Sequence, residues 1–297
     1  MIPAVDAHHH LWDAVENSYP YLSDGSRDRM HGKALPRRYL IDDYLRDIGE
    51  LGIVKSVHVQ CGWNPADPVG ETRWIDRIAR RHGYPSAIVA FADLSDDNVG
   101  DVLAAHRRAS PLLRGVRQHV GWHEIPRYRL GPRPGMMKEP AWRRGFAQLA
   151  QYDLTFDMQA FYFQLDDARK LAEDYPRTRI ILGNSAMPVD RDAGSLAGWR
   201  EALRRAASCP NIYIKIGGFS MVDHDWTVES IRPFVEHIID CFGVDRCMMG
   251  SNFPTDSLCR DFRSLWTAYH EVTTRLSGSE RTKLFRLTAA RVYRLAD

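Results

Sequence analysis

The sequence predicts a (β/α)8 barrel, a TIM-barrel α/β fold, on three observations. Eight short apolar runs alternate with amphipathic stretches of helical spacing; the runs are nearly continuous, as in strands buried on both faces; and no Gly-x-Gly-x-x-Gly turn follows the first run. The first two favour a parallel sheet covered by helices, and the third weighs against a dinucleotide-binding open sheet. The predicted strands are 4–9, 53–60, 87–92, 112–117, 154–159, 178–182, 211–216 and 246–250. Between and after them, apolar residues recur at helical spacing over 71–81, 98–108, 142–152, 166–174, 196–207, 228–241 and 262–273. A last helix, 280–294, is expected to pack outside the barrel, and residues 13–36 and 119–140 read as long polar or Pro/Gly-rich connections that shape a site.

The chain has 297 residues, a length that barrels commonly fill as a single domain, so 1–297 is read as one barrel domain. Its 40 basic and 38 acidic residues nearly cancel, which argues against a nucleic-acid surface and for a small-molecule partner. No apolar run approaches the roughly 18 residues of a bilayer span. Five cysteines without a Cys-x-x-Cys pair, and no signal-like segment, point to a reducing cytoplasm. The sequence does not select between a monomer and a homo-oligomer.

Function in such barrels gathers at the C-terminal ends of the strands, so those ends are read together. The first run, Asp6-Ala-His-His-His-Leu-Trp12, ends in three histidines. Side chains two apart share a face of a strand, so His8 and His10 are expected to face inward and His9 toward the helices. The pair suits metal ligation or acid/base chemistry. Other strand ends supply Gln60, Asp93, Arg117, Gln118, His119, Gln159, Asn184, Lys215, Asn252 and Asp256. Arg117 is expected to bind a carboxylate or carbonyl through its planar fork, with Lys215 as a second positive charge or as part of a structural ion pair. Gln60, Gln159, Asn184 and Asn252 are neutral donors and acceptors suited to a polyhydroxylated or carbonyl-rich ligand. Trp12, Trp63, Trp122 and Trp226 are candidates to stack on it. His224, flanked by Asp223 and Asp225, is a second acid/base candidate, and Asp256 is either a base or a helix cap.

The motif Asp6-Ala-His-x-His10-Leu-Trp12 resembles the opening of the amidohydrolase superfamily, in particular its amidohydrolase-2 branch of sugar-lactone hydrolases similar to L-fuconolactonases. Glu71-Thr-Arg-Trp74, Phe91-Ala-Asp-Leu94, Arg114-Gly-Val-Arg117, Phe156-Asp-Met-Gln159, Tyr213-Ile-Lys-Ile-Gly217 and Met249-Gly-Ser-Asn-Phe-Pro254 extend the resemblance along most of the chain. It implies the same barrel and a hydrolase acting on a lactone or related cyclic ester. Metal-binding members of the resembled family add histidines after strands five and six and an aspartate after strand eight to the His-x-His pair. Here those places hold Gln159, Asn184 and Asn252. Amides bind transition metals poorly, which leaves His8 and His10 as good ligands. The reading adopted is a metal-independent enzyme; the alternative is zinc or another divalent metal in a weak site that recruits His119 or Asp256. A decarboxylase or hydratase-type lyase of the same superfamily, or a barrel that binds a ligand without turning it over, are the competing functions.

Overall fold

The computed structural model describes residues 2–22 and 32–296. Eight parallel strands follow one another around a single sheet in chain order: β1 (Ala4–His9), β2 (Ile53–Val59), β3 (Ala87–Ala90), β4 (Leu113–Val116), β5 (Thr155–Met158), β6 (Ile180–Leu182), β7 (Ile212–Ile216) and β8 (Cys247–Met249). The chain just past β8 closes the ring against β1: Asn252 N donates to His8 O at 2.7 Å and His10 N donates to Phe253 O at 2.7 Å. Each strand lies within or at the edge of its predicted run.

Helices α1 (Ile41–Ile48), α2 (Gly70–His82), α3 (Val99–Ala109), α4 (Pro140–Gln148), α5 (Leu165–Asp174), α6 (Ala193–Ala207), α7 (Val228–Phe242) and α8 (Phe262–Val272) form the outer layer. Their starts follow local chemistry: the Asp192, Thr227 and Asp261 side chains accept from the first-turn N–H groups of α6, α7 and α8. Helix α1 was not expected. It buries Ile41, Tyr44 and Ile48, a stripe too short to stand out inside a polar connection. The same connection holds a small antiparallel pair, Trp12–Asp13 with Arg38–Tyr39. Its residues 23–31 lie outside the described ones.

One expectation is corrected. The C-terminal helical segment, 278–292, and the residues after it do not merely pack outside. Ala289, Val292, Tyr293 and Leu295 join Val5, Ala7, Val57, Val59 and Val89 in the apolar cluster inside the barrel. The tail thus plugs the end where the strands begin: Arg294 lies with Ser110, Pro111 and Asp153, and Ala296 with Pro85, Ser86 and Leu112, on the segments that lead into β3, β4 and β5. Tyr293 reaches far enough to donate its hydroxyl to Asp157 of β5 at 2.7 Å. Among the described residues, no helix is long and apolar enough to cross a membrane.

Candidate active site

The alternation of β1 alone would not produce its observed orientation. Val5 and Ala7 face the barrel interior, so strict period-two alternation would turn His8 outward. Asp6 pairs with Ser56 and His9 with His58, so three steps on β1 match two on β2. This bulge shifts the phase by one residue. His8 and His10 then share a face, their rings 5.0 Å apart, while His9 stacks on Tyr44 of the helix layer at 4.1 Å and pairs with Ser56 Oγ at 3.0 Å. The predicted division of the triplet holds, by way of a bulge.

A cavity of about 230 Å3 opens at the C-terminal end of the strands. It falls below the roughly 300–1,000 Å3 of drug-sized pockets, so a small substrate suits it. Its walls bring together His10 and Trp12 after β1, Arg117 and His119 after β4, Gln159 after β5, Asn184 after β6 and Asn252 after β8. Trp12 is held in place by its indole N–H, which donates to Pro36 O at 2.8 Å.

The histidines here are neutral. Burial, then the nearby positive charge of Arg117, holds His10 well below the ordinary imidazole range. Its Nδ1–H donates to Val59 O at 2.6 Å, which leaves Nε2 as the unprotonated nitrogen. Burial, followed by the charges of Lys215, His10 and Arg117, likewise lowers His8, and neither His8 ring nitrogen has a hydrogen-bond partner. His119 is pushed down to about 3 by burial and Arg117. Arg117 itself is 5% exposed and donates through Nη2 to Gln60 O.

Other predicted residues sit elsewhere. Lys215 is 1% exposed, below the pocket, with Nζ 2.6 Å from Asp157 Oδ2. Asp256 is fully buried behind Asn252, whose Nδ2 donates to its Oδ1 at 2.7 Å. Gln60 is outside the lining; its amide serves the backbone, accepting from Gly62 N and donating to Arg117 O. Trp226 is turned inward, donating to Ser220 Oγ at 3.0 Å. His224 is exposed on a separate groove with Arg127 and Tyr128. The loop after β7 thus directs both residues away from the pocket and presents Met221 instead.

Cys61, Arg129, Leu130 and Thr255 also line the pocket and were missed. Cys61 directly follows a predicted strand end, a usable signal. Arg129 comes from the long connection after β4, where no periodicity marks it, and lies over Trp122 at 4.7 Å. Cys61 Sγ donates to Glu71 Oε1 at 2.9 Å, and burial beside that carboxylate pushes the thiol up well above its ordinary range. His58 and Glu71 complete a cluster whose ligand atoms lie within 4.8 Å of one another. Leu11 N donates to His58 Nδ1, so the ring proton sits on Nε2, which donates to Glu71 Oε1 at 3.2 Å. That hydrogen-bonded arrangement leaves no lone pair on His58 for a cation.

The two asparagines that replace expected metal ligands share a backbone property. Asn184 has φ 47° and Asn252 φ 55°, in the left-handed region that asparagine tolerates better than most residues. Asn184 opens a run of four such residues through Met187, held by Ser185 Oγ on Gly217 O at 3.1 Å and by Trp199 Nε1 on Ser185 O at 2.9 Å.

The family model described as amidohydrolase matches residues 5–295. The y4mH protein of Sinorhizobium fredii is 40% identical over 296 residues, covering 99% of each chain. An L-fucono-1,5-lactonase of Burkholderia multivorans is 26% identical, covering 99% of this chain and 96% of its own. A crystal structure of an amidohydrolase from the same species, with bound HEPES, superposes with a TM-score of 0.82 at 25% identity, covering 99% of both chains. With its eight-stranded barrel and His8-x-His10 pair, this chain belongs to the amidohydrolase family.

Proposed function

We propose that this protein hydrolyses a lactone or related cyclic ester of a small polyhydroxylated or carboxylated metabolite, without a resident metal. The observation that carries the reading is the tautomer of His10. Its Nδ1–H is committed to Val59 O, so an unprotonated Nε2 belongs to a pocket that Arg117 also lines. A neutral imidazole beside a guanidinium supplies the base and the charge clamp that ester hydrolysis needs.

His10 takes a proton from water as the water oxygen bonds to the lactone carbonyl carbon. Arg117 stabilises the negative charge that develops on the carbonyl oxygen. As the ring C–O bond breaks, the imidazolium returns its proton to the departing oxygen, leaving a hydroxy acid. Asn184, Asn252 and Gln159 offer amide groups to substrate hydroxyls or carbonyls, and Trp12 offers a wall against which the ring packs. The match to an L-fucono-1,5-lactonase favours a sugar-derived lactone.

The donor set does not fit a catalytic zinc. Two imidazoles are met by amides at the other positions, and the Asp256 carboxylate holds Asn252. Lys215 and Arg117 lie near enough to disfavour positive charge on His8, and the same charges would oppose a divalent ion. A lactone panel followed by acid release tests the reading, with His10→Ala in parallel. Hydrolysis by the native chain and a loss of about 10²–10⁴-fold in the variant are expected. Turnover unchanged in His10→Ala would refute the assigned role, and carbon dioxide release from a carboxylated substrate with no lactone opened would favour a lyase.

A further inference from the structure

The opposite face of the barrel, where the strands begin, carries a second cavity of about 730 Å3. It lies between the end of α3, the segments leading into β4 and β5, and the C-terminal tail, and its basic lining residues are Arg107, Arg114 and Arg294. Arg179 adjoins them through Asp153, which accepts from Arg179 Nη2 at 2.6 Å and lies 3.3 Å from Arg294 Nε. Four guanidiniums therefore surround one ion-paired carboxylate. The mutual repulsion is visible in their proton affinities: burial and then Arg107 lower Arg114, while burial, Arg179, Arg114 and Arg107 lower Arg294 against the pull of Asp153.

The arginines are held in place despite that repulsion. Arg114 Nη1 donates to Pro111 O at 2.6 Å and to Leu113 O at 2.8 Å, which fixes its plane by the main chain. Arg294 follows Tyr293, the residue anchored on Asp157 inside the barrel, and its φ of 49° closes the end of the last helix, where Leu295 N donates to Ala290 O at 2.9 Å. Arg114 Nε and Arg294 Nη1 are both buried with no hydrogen-bond partner. Guanidinium groups crowded by like charge around a single carboxylate, with N–H groups short of acceptors, favour a further anion beside them.

We propose that this cavity is a binding site for the oxyanion group, phosphate or carboxylate, of a small metabolite, held by Arg107, Arg114 and Arg294. A planar guanidinium presents paired N–H donors to either group, and an anion there would accept from them and offset their mutual repulsion. The cavity has room for more than the ion, so the anion is one end of a larger molecule. The site lies across the barrel from the pocket that contains Arg117 and is independent of the chemistry assigned there.

Calorimetric titration of the full chain with inorganic phosphate and, separately, with malonate, in chloride buffer of matched ionic strength, tests it. Saturable one-to-one binding of at least one probe is expected, and the tighter probe identifies the preferred group. Arg114→Gln should weaken that binding at least tenfold. Arg107→Gln, a change at an exposed side chain that leaves the fold intact, should weaken it measurably and leave lactone turnover unchanged. Absence of saturable binding by both probes would overturn the proposal. So would equal affinity in Arg107→Gln and the native chain, which would place the anion elsewhere, such as on Arg117.

Discussion

Replacing Asp157 by Ala tests whether Lys215 is part of the barrel's frame. Asp157 Oδ2 accepts from Lys215 Nζ at 2.6 Å and from Tyr293 OH at 2.7 Å, and Oδ1 accepts from Thr155 Oγ1 at 3.2 Å. Truncation leaves an ammonium inside the barrel without its paired carboxylate. Breaking a buried pair in this way costs about 3–5 kcal/mol. At about 2 °C per kcal/mol for a chain of this size, the thermal midpoint should fall by about 6–10 °C at pH 7. Burial already lowers the Lys215 proton affinity, with Asp157 opposing the shift. Without Asp157 its folded pKa falls further below the unfolded value. Such a group destabilises the fold as pH falls, so the deficit should shrink as pH is raised toward 10. The double variant Asp157→Ala/Lys215→Met removes both charges and should recover most of the loss. Calorimetric melts of the three proteins decide the matter. A single variant within about 2 °C of the native protein, or a double variant no more stable than the single, would refute the reasoning.

Acid stability follows from the buried histidines. His8, His9 and His10 are held well below the ordinary range by burial, His119 at about 3 and His270 at about 4. Below an unfolded pKa of about 6.5 the unfolded chain binds protons that the folded chain refuses, so stability present above that pH is lost as pH falls toward 3 to 4. Asp6, raised to about 6 by burial, acts in the opposite sense, since its contribution is present at low pH and lost as pH rises through 6. One carboxyl against several imidazoles leaves acid lability as the net result; urea midpoints that stay level from pH 8 to 4 would contradict it. Arg117→Met should lower kcat on a lactone by about 10²–10³-fold, as expected for loss of an oxyanion donor, and a change confined to KM would assign Arg117 to ground-state binding instead. Cys61→Ala should retain turnover within a few-fold, because burial beside Glu71 keeps the thiol protonated; loss of activity with the fold preserved would make the thiol a participant.

The barrel was legible in the sequence because strands buried on both faces must be largely apolar along their length, as Ala87–Ala90 and Ile180–Leu182 are. The inward pairing of His8 and His10 was also legible, although the bulge that produces it was not: bulges arise from pairing with β2, which strand periodicity does not encode. Side chains immediately after strands were placed well, as His10, Arg117, Gln159, Asn184 and Asn252 show. Those farther along loops were not. Trp226 and His224 follow a loop that turns back on Ser220, and Arg129 reaches the pocket from the middle of a long connection. Lys215 read equally as a charge clamp or an ion pair, because its partner lies on β5, far away in the chain. The tail was misjudged for the same reason: an apolar stripe on a terminal helix says that it packs, and only the open lower end of the barrel determines where.

The most direct test of the account is the rate of acid release from a sugar-derived lactone by protein stripped of metal with a chelator, its residual metal measured in the same sample. The account predicts turnover equal to that of untreated protein at well under one metal ion per chain. Loss of activity on stripping, restored by zinc, would contradict it and return His8 and His10 to the role of metal ligands.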